Sequence, residues 1–239
     1  QEIDMNKSEN IICALDFDDL DQSISFIDSI EYDIIYKIGM EFFFNFGFDG
    51  INKIKKKKKN IKIFLDLKLH DIPNTVAKSL YPLLKKTQPF MFTLHISGGR
   101  KMLSEAVMIN KEVSNDYKFQ KPILLGVTIL TSLSQEDYRS MGHRDSINDY
   151  VLKYANLAGL SGLDGLVCSP LEIKSVKENL GDKLKIVTPG IRFKGSSYND
   201  QARIMSPYEA FQAGADYIVI GRPLINDSDP NKVIKDIIY

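Results

Sequence analysis

The feature that most constrains how this chain can fold is an alternation: eight short apolar runs, each followed by a stretch with helical spacing. The runs fall at residues 11–17, 34–39, 61–68, 90–97, 123–130, 165–169, 184–189 and 217–221. Apolar residues recur at three- and four-residue intervals in the stretches 20–30, 42–58, 75–86, 99–113, 147–160, 171–179, 207–213 and 230–238. A near-continuous apolar run suits a strand covered on both faces, and a helix between successive strands makes those strands parallel. Eight such units close most naturally into a (β/α)8 barrel, the TIM-barrel member of the α/β class. A length of 239 residues with 44% hydrophobic content is enough for one such core, and no linker divides 1–239. An open doubly wound sheet fits less well, because no Gly-x-Gly-x-x-Gly opens the first helix.

This layout puts chemistry-bearing residues in one place. Asp16, Lys37, Asp66, Lys68, Thr131, Arg192, Gly221 and Arg222 all fall at or just past the C-terminal ends of the expected strands. That is the face where barrel enzymes carry their sites. The densest cluster is in 63–76, IFLDLKLHDIPNTV. Alternation places Asp66 and Lys68 on the same face of the strand, and Asp71 follows before Pro73 turns the chain. An ammonium among carboxylates stays protonated and offers a fixed pattern of charge to a ligand. A lone Asp-Leu-Lys would pass as a structural ion-pair network. Asp16 and Lys37, ending neighbouring strands, can meet hydroxyl groups from one side or pair with each other. Gly221 and Arg222 follow the last strand and suit a phosphate held by a backbone amide and a guanidinium, although a tight turn with an exposed cation has the same sequence. Arg192 and Gln201 supply further donors, and the Gly-Ser-rich segment 194–200 is expected to form a lid.

Composition narrows the partners. Lys plus Arg and Asp plus Glu both number 31, so no global field favours nucleic acid or a membrane. The lysine run 55–59 has no interleaved aromatics and is expected to be a solvated helix end. Cys13 and Cys168 lie in apolar runs, without metal-ligand spacing, as reduced core thiols. No apolar stretch approaches the ~18 to 20 residues of a membrane span, and the polar opening lacks a signal-peptide core, so a cytoplasmic protein is expected. His70, His95 and His143 are assigned structural roles.

The string DxKxxD followed by Ile-Pro-x-Thr resembles the signature of orotidine 5'-monophosphate decarboxylase, without a gap across 63–76. The resemblance continues in order through Ala14-Leu15-Asp16, Tyr36-Lys37-Ile38-Gly39, Leu130-Thr131-Ser132, Thr188-Pro189-Gly190-Ile191-Arg192, Asp200-Gln201 and Gly221-Arg222-Pro223. It implies cofactor-independent, metal-free decarboxylation of orotidine 5'-monophosphate to uridine 5'-monophosphate, the last step of UMP synthesis. It also implies that Lys68 stabilises charge at C6 of the pyrimidine and delivers the proton, held by Asp66 and Asp71. Asp16 and Lys37 would meet the ribose, and Thr131 and Ser132 the pyrimidine edge. Arg192, Gln201, Gly221 and Arg222 would grip the phosphate, and Thr75 and Pro189 complete the substrate-binding set. A homodimer is implied, with Asp71 reaching the partner subunit's site. The nearest competitor is the metal-dependent sugar-phosphate decarboxylase and aldolase branch, which shares DxKxxD and uses magnesium but lacks the continuation at Ile72-Pro73-Asn74-Thr75. A non-catalytic RNA-binding barrel using 55–59 would differ by a steep salt dependence.

Overall fold

The computed structural model describes residues 8–192 and 205–238. Its strands are β1 (Ile11–Ala14), β2 (Ile35–Ile38), β3 (Lys62–Leu69), β4 (Met91–His95), β5 (Ile123–Val127), β6 (Gly165–Val167), β7 (Lys185–Thr188) and β8 (Tyr217–Ile220). They pair in parallel in chain order, and β8 returns to β1 to close the barrel. Ile12 is held between Ile35 on β2 and Val219 on β8.

The strands are largely apolar on both faces because both faces are largely buried. Ile12, Ile35, Phe64, Met91, Leu125, Val187 and Val219 fill the barrel interior. The alternate residues, among them Ile11, Cys13, Tyr36, Ile63, Leu65, Phe92 and Ile186, pack outward under the helices. Gly165 is required where β6 and β7 approach, since a Cβ there would sit 2.5 Å from the carbonyl oxygen of Lys185.

The helices are α1 (Leu20–Ser29), α2 (Met40–Lys57), α3 (Pro73–Thr87), α4 (Gly99–Asp116), α5 (Gln135–Ser140), α6 (Ile147–Ser161), α7 (Ile173–Leu180), α8 (Pro207–Ala213), α9 (Arg222–Ile225) and α10 (Pro230–Ile238). Eight of them match the stretches read from periodicity. The six-residue α5 and four-residue α9 were not anticipated. Both are too short to show a helical period, and the signal for α5 is local: Ser134 and Asp137 form a reciprocal capping box. The same device starts α6 at Ser146 and Asp149, and α8 at Ser206 and Glu209.

The lysine run is solvated at Lys56, Lys57 and Lys59 and departs from that expectation at the half-buried Lys55 and Lys58. The Lys55 ammonium donates to the carbonyl oxygens of Thr87 and Gln88 at the end of α3. Lys58 donates to the Ile30 carbonyl just beyond α1, at 3.2 Å, and Lys57 lies 3.3 Å from Asp28. Three helices end together at the N-terminal face of the barrel, and their last carbonyls need donors that intrahelical bonds do not supply. Cys13 and Cys168 are buried free thiols. Among the described residues no helix is long and apolar enough to cross a membrane.

Candidate active site

The longest strand, β3, breaks register where the charges begin. Leu65 pairs with Phe92 and Leu69 with Leu94, so Asp66, Leu67 and Lys68 stand opposite Thr93 alone. A bulge of this kind re-aims side chains beside a site. Here it holds Lys68 at φ 49°, in the left-handed region that L-residues with a long side chain seldom enter. The backbone N–H of Lys68 has no carbonyl of β4 to meet and donates instead to Oγ1 of Thr93, at 3.0 Å.

Lys37, Asp66 and Thr93 project inward from adjacent strands, each two residues past an interior residue (Ile35, Phe64 and Met91). Asp66 is the centre of this layer and only 7% exposed. Its Oδ2 lies 2.8 Å from the Lys68 ammonium and 3.3 Å from that of Lys37, while its Oδ1 accepts the Thr93 hydroxyl at 3.0 Å. Burial alone would raise its pKa. The charges of Lys37 and Lys68, with the hydrogen bonds from Lys68 and Thr93, outweigh burial and hold the carboxyl below the usual range. At neutral pH the group is a carboxylate shared by two ammonium ions.

A cavity of about 310 Å³ opens above this layer. Lys37, Asp66 and Lys68 line it on one side, and Thr131, Ser132 and Pro189 on the other. Val127, Ile129 and Val167 supply apolar wall. Such a mixture, mostly apolar with a few fixed polar groups, is what a small-molecule site requires.

Other candidates, Asp16, Arg192, Gly221 and Arg222, follow β1, β7 and β8 at the same end of the barrel. Asp16 follows β1 and is exposed; Gly221 lies beside it at the end of the neighbouring β8, where a Cβ would stand 3.6 Å from Asp16 Oδ2. Among the described residues no ion pair joins Asp16 to Lys37, because the Lys37 ammonium is engaged by Asp66. Gly39 lies beside Lys37, whose ammonium would be in ordinary contact, 3.7 Å from a Cβ at that position. Arg222 is the first residue of α9, with Gly221 as its N-cap. Arg192 donates from its backbone to Met205 and from its guanidinium to the Ile191 carbonyl. Gln201 and the proposed lid 194–200 lie outside the described residues.

Asp71 and Thr75 stand apart from the cavity of their own chain. Asp71 is exposed, and its carboxylate accepts the N–H of Ile72 at 2.6 Å; within one chain Lys68 is held by Asp66 rather than by Asp71. Thr75 is exposed in the first turn of α3, which Pro73 opens. His70 and His95 face each other with ring centroids 5.5 Å apart. Burial, then the neighbouring His70 and Lys68, push the His95 imidazole below its ordinary pKa. His143 stacks on Tyr138 at 4.0 Å, an anchor for the loop before α6.

Thr93 is the site residue that the reading of the sequence passed over. Its signal was present: it is the polar residue inside the apolar run Phe90-Met91-Phe92-Thr93-Leu94, two residues from the interior Met91.

Three comparisons bear on this arrangement. The chain is similar to an orotidine 5'-phosphate decarboxylase of Dictyoglomus thermophilum, 44% identical over 235 residues that cover 98% of this chain and 95% of that one. It is 40% identical over 228 residues to the orotidine 5'-phosphate decarboxylase of a Vibrio cholerae strain, covering 95% and 96% of the two chains. The crystal structure of orotidine 5'-phosphate decarboxylase from Lactobacillus acidophilus superposes with a TM-score of 0.83 at 37% identity, over 96% of this chain and 97% of that chain. A sequence model of one family matches residues 9–237. With its closed barrel, its Asp66–Lys68 pair at the C-terminal mouth and these full-length matches, the chain belongs to the orotidine 5'-phosphate decarboxylase / HUMPS family.

Proposed function

We propose that this protein removes CO2 from orotidine 5'-monophosphate to give uridine 5'-monophosphate, the last step of UMP synthesis, without metal or cofactor. The observation that carries the reading is the Lys68 ammonium, 2.8 Å from a buried carboxylate and lining the same cavity as Thr131, Ser132 and Pro189. The C6–carboxylate bond breaks with its electron pair left on C6, where no π-system absorbs it. The site must lower that barrier by on the order of 20 kcal/mol, and fixed charge is the means available. Lys68 opposes the developing carbanion and donates its proton to C6, then recovers a proton from water. Asp66 aims the Lys68 ammonium, and Lys37 keeps Asp66 ionised in spite of its burial.

Asp16 and Lys37 are assigned to the ribose side of the nucleotide, and Thr131 and Ser132 to the pyrimidine edge; Pro189 lines the same cavity, and Thr75, outside the cavity of its own chain, is assigned to substrate binding beside Asp71 in the partner's site. Arg192, Gln201, Gly221 and Arg222 are assigned to the phosphate. Binding energy from the phosphate, remote from C6, orders the reacting end and so acts on turnover as well as affinity. The active unit is a cytoplasmic homodimer in which Asp71 enters the partner's site. Its support is the position of Asp71, outside its own cavity and beside Ile72, which is 64% exposed.

The test is the ultraviolet absorbance of orotidine 5'-monophosphate mixed with purified protein in excess chelator, with Lys68→Ala alongside. Rapid conversion by the wild type and a loss of at least ~10³-fold in the variant are expected. Conversion that requires magnesium and a sugar phosphate instead would move the protein to the metal-dependent branch.

A further inference from the structure

We propose that Thr93 is a positioning residue for decarboxylation, its single hydroxyl fixing both the Asp66 carboxylate and the left-handed backbone of Lys68. The inference rests on the functional reading above and extends it to a residue that reading does not use.

The geometry has three parts. First, three residues of β3 face one residue of β4, so the ladder gives the Lys68 N–H no backbone acceptor. Second, the Thr93 side chain is 1% exposed, so water does not replace what it provides. Third, the hydroxyl accepts from Lys68 N at 3.0 Å and donates to Asp66 Oδ1 at 3.0 Å. A carboxylate needs a donor and an N–H needs an acceptor, and a hydroxyl is the smallest side-chain group that is both. The β-branch of threonine leaves few χ1 choices, which keeps the hydroxyl aimed at both partners.

Other buried strand and strand-end threonines do not share this role. Thr128 donates to the Val167 carbonyl, and the Thr188 hydroxyl has no hydrogen-bond partner among the described residues. Thr93 instead bridges the carboxylate that aims the proton donor and the backbone that carries it. The Lys68 side chain starts from a strained Cα and ends at Asp66, so both ends of its path are set by one oxygen of β4. Without that oxygen the distance of the Lys68 ammonium to the reacting carbon is no longer fixed, and misplacement of about 1 Å costs ~10²-fold in rate.

The experiment compares wild type, Thr93→Val and Thr93→Ser in the chelated absorbance assay, with thermal melting of each. Valine keeps the shape and removes the hydroxyl. The expected result is a folded Thr93→Val whose kcat is about 10²-fold lower while KM moves far less, and a Thr93→Ser that restores most of kcat. Three results would overturn the proposal: a Thr93→Val with wild-type kcat, a folded Thr93→Ser as slow as the valine variant, or a Thr93→Val that does not fold, which would make the hydroxyl a prop of the barrel. A wild-type protein that fails to convert the nucleotide is a separate result. It removes the functional reading itself and this extension with it.

Discussion

One carboxylate oxygen of Asp66 serves two ammonium groups, and the pH behaviour of the fold should register it. The folded-state pKa of Asp66 lies below its unfolded value, because the charges of Lys37 and Lys68 and two hydrogen bonds outweigh the opposing effect of burial. Folding therefore favours the ionised form. The resulting stability is complete above about pH 4 and disappears as pH falls through the folded value. Asp66→Asn, which does not titrate, is expected to be less stable than wild type at pH 7 by about 2 kcal/mol. In urea titrations from pH 7 downward that gap should hold to about pH 4 and then narrow; a gap that widens in acid would contradict the assigned charge state. The strain at Lys68 belongs to the same scale. A left-handed lysine costs roughly 1–2 kcal/mol, and the bulge, Thr93 and Asp66 together hold it there.

At the level of elements, two members of the lysine run, Lys55 and Lys58, are part of the scaffold. Lys55 donates to the last carbonyls of α3, and burial lowers its pKa. Lys55→Met keeps the apolar stem but not the donor, and is expected to cost about 1 kcal/mol, a fall in Tm of about 2–4 °C, with turnover of the nucleotide unchanged. An unaltered melting curve would return Lys55 to solvent. The sequence hid this because a lysine at a helix end looks the same whether it meets water or a neighbouring helix. Strands and long helices were legible because their periods persist over many residues, as with the eight-residue β3 and the eighteen-residue α4. The bulge was not legible: Phe64, Asp66 and Lys68 keep period two through it, and only the partner strand reveals that the register has shifted. Of the site, Asp66 and Lys68 were readable from alternation and the Thr131–Ser132 side from its place after β5. Thr93 acts through contacts across strands, which spacing within one strand does not encode. The separation of Asp71 from its own cavity likewise depends on how the turn before Pro73 is aimed.

At the level of the molecule, the proposed homodimer, with Asp71 in the partner's site, makes a prediction of its own. Lys68→Ala and Asp71→Ala proteins, each inactive alone, should recover activity when mixed and allowed to exchange subunits. A hybrid dimer contains one site with both native residues, so random exchange should restore about a quarter of wild-type activity. No recovery after exchange, shown by a tagged partner, would place both residues in a single chain's site. The closed ring has a further implication, for how the protein is made. Ile11 pairs with Ile218, and Asn10 donates to the carbonyl of Asp216, so the first strand finds one of its two neighbours only among the last to be translated. At about 5–20 residues per second the ribosome takes roughly ten to forty seconds to deliver that neighbour. For that interval the nascent chain presents an unpaired β edge of Ile11, Ile12 and Cys13, and the opening strand is where a chaperone would have most to protect.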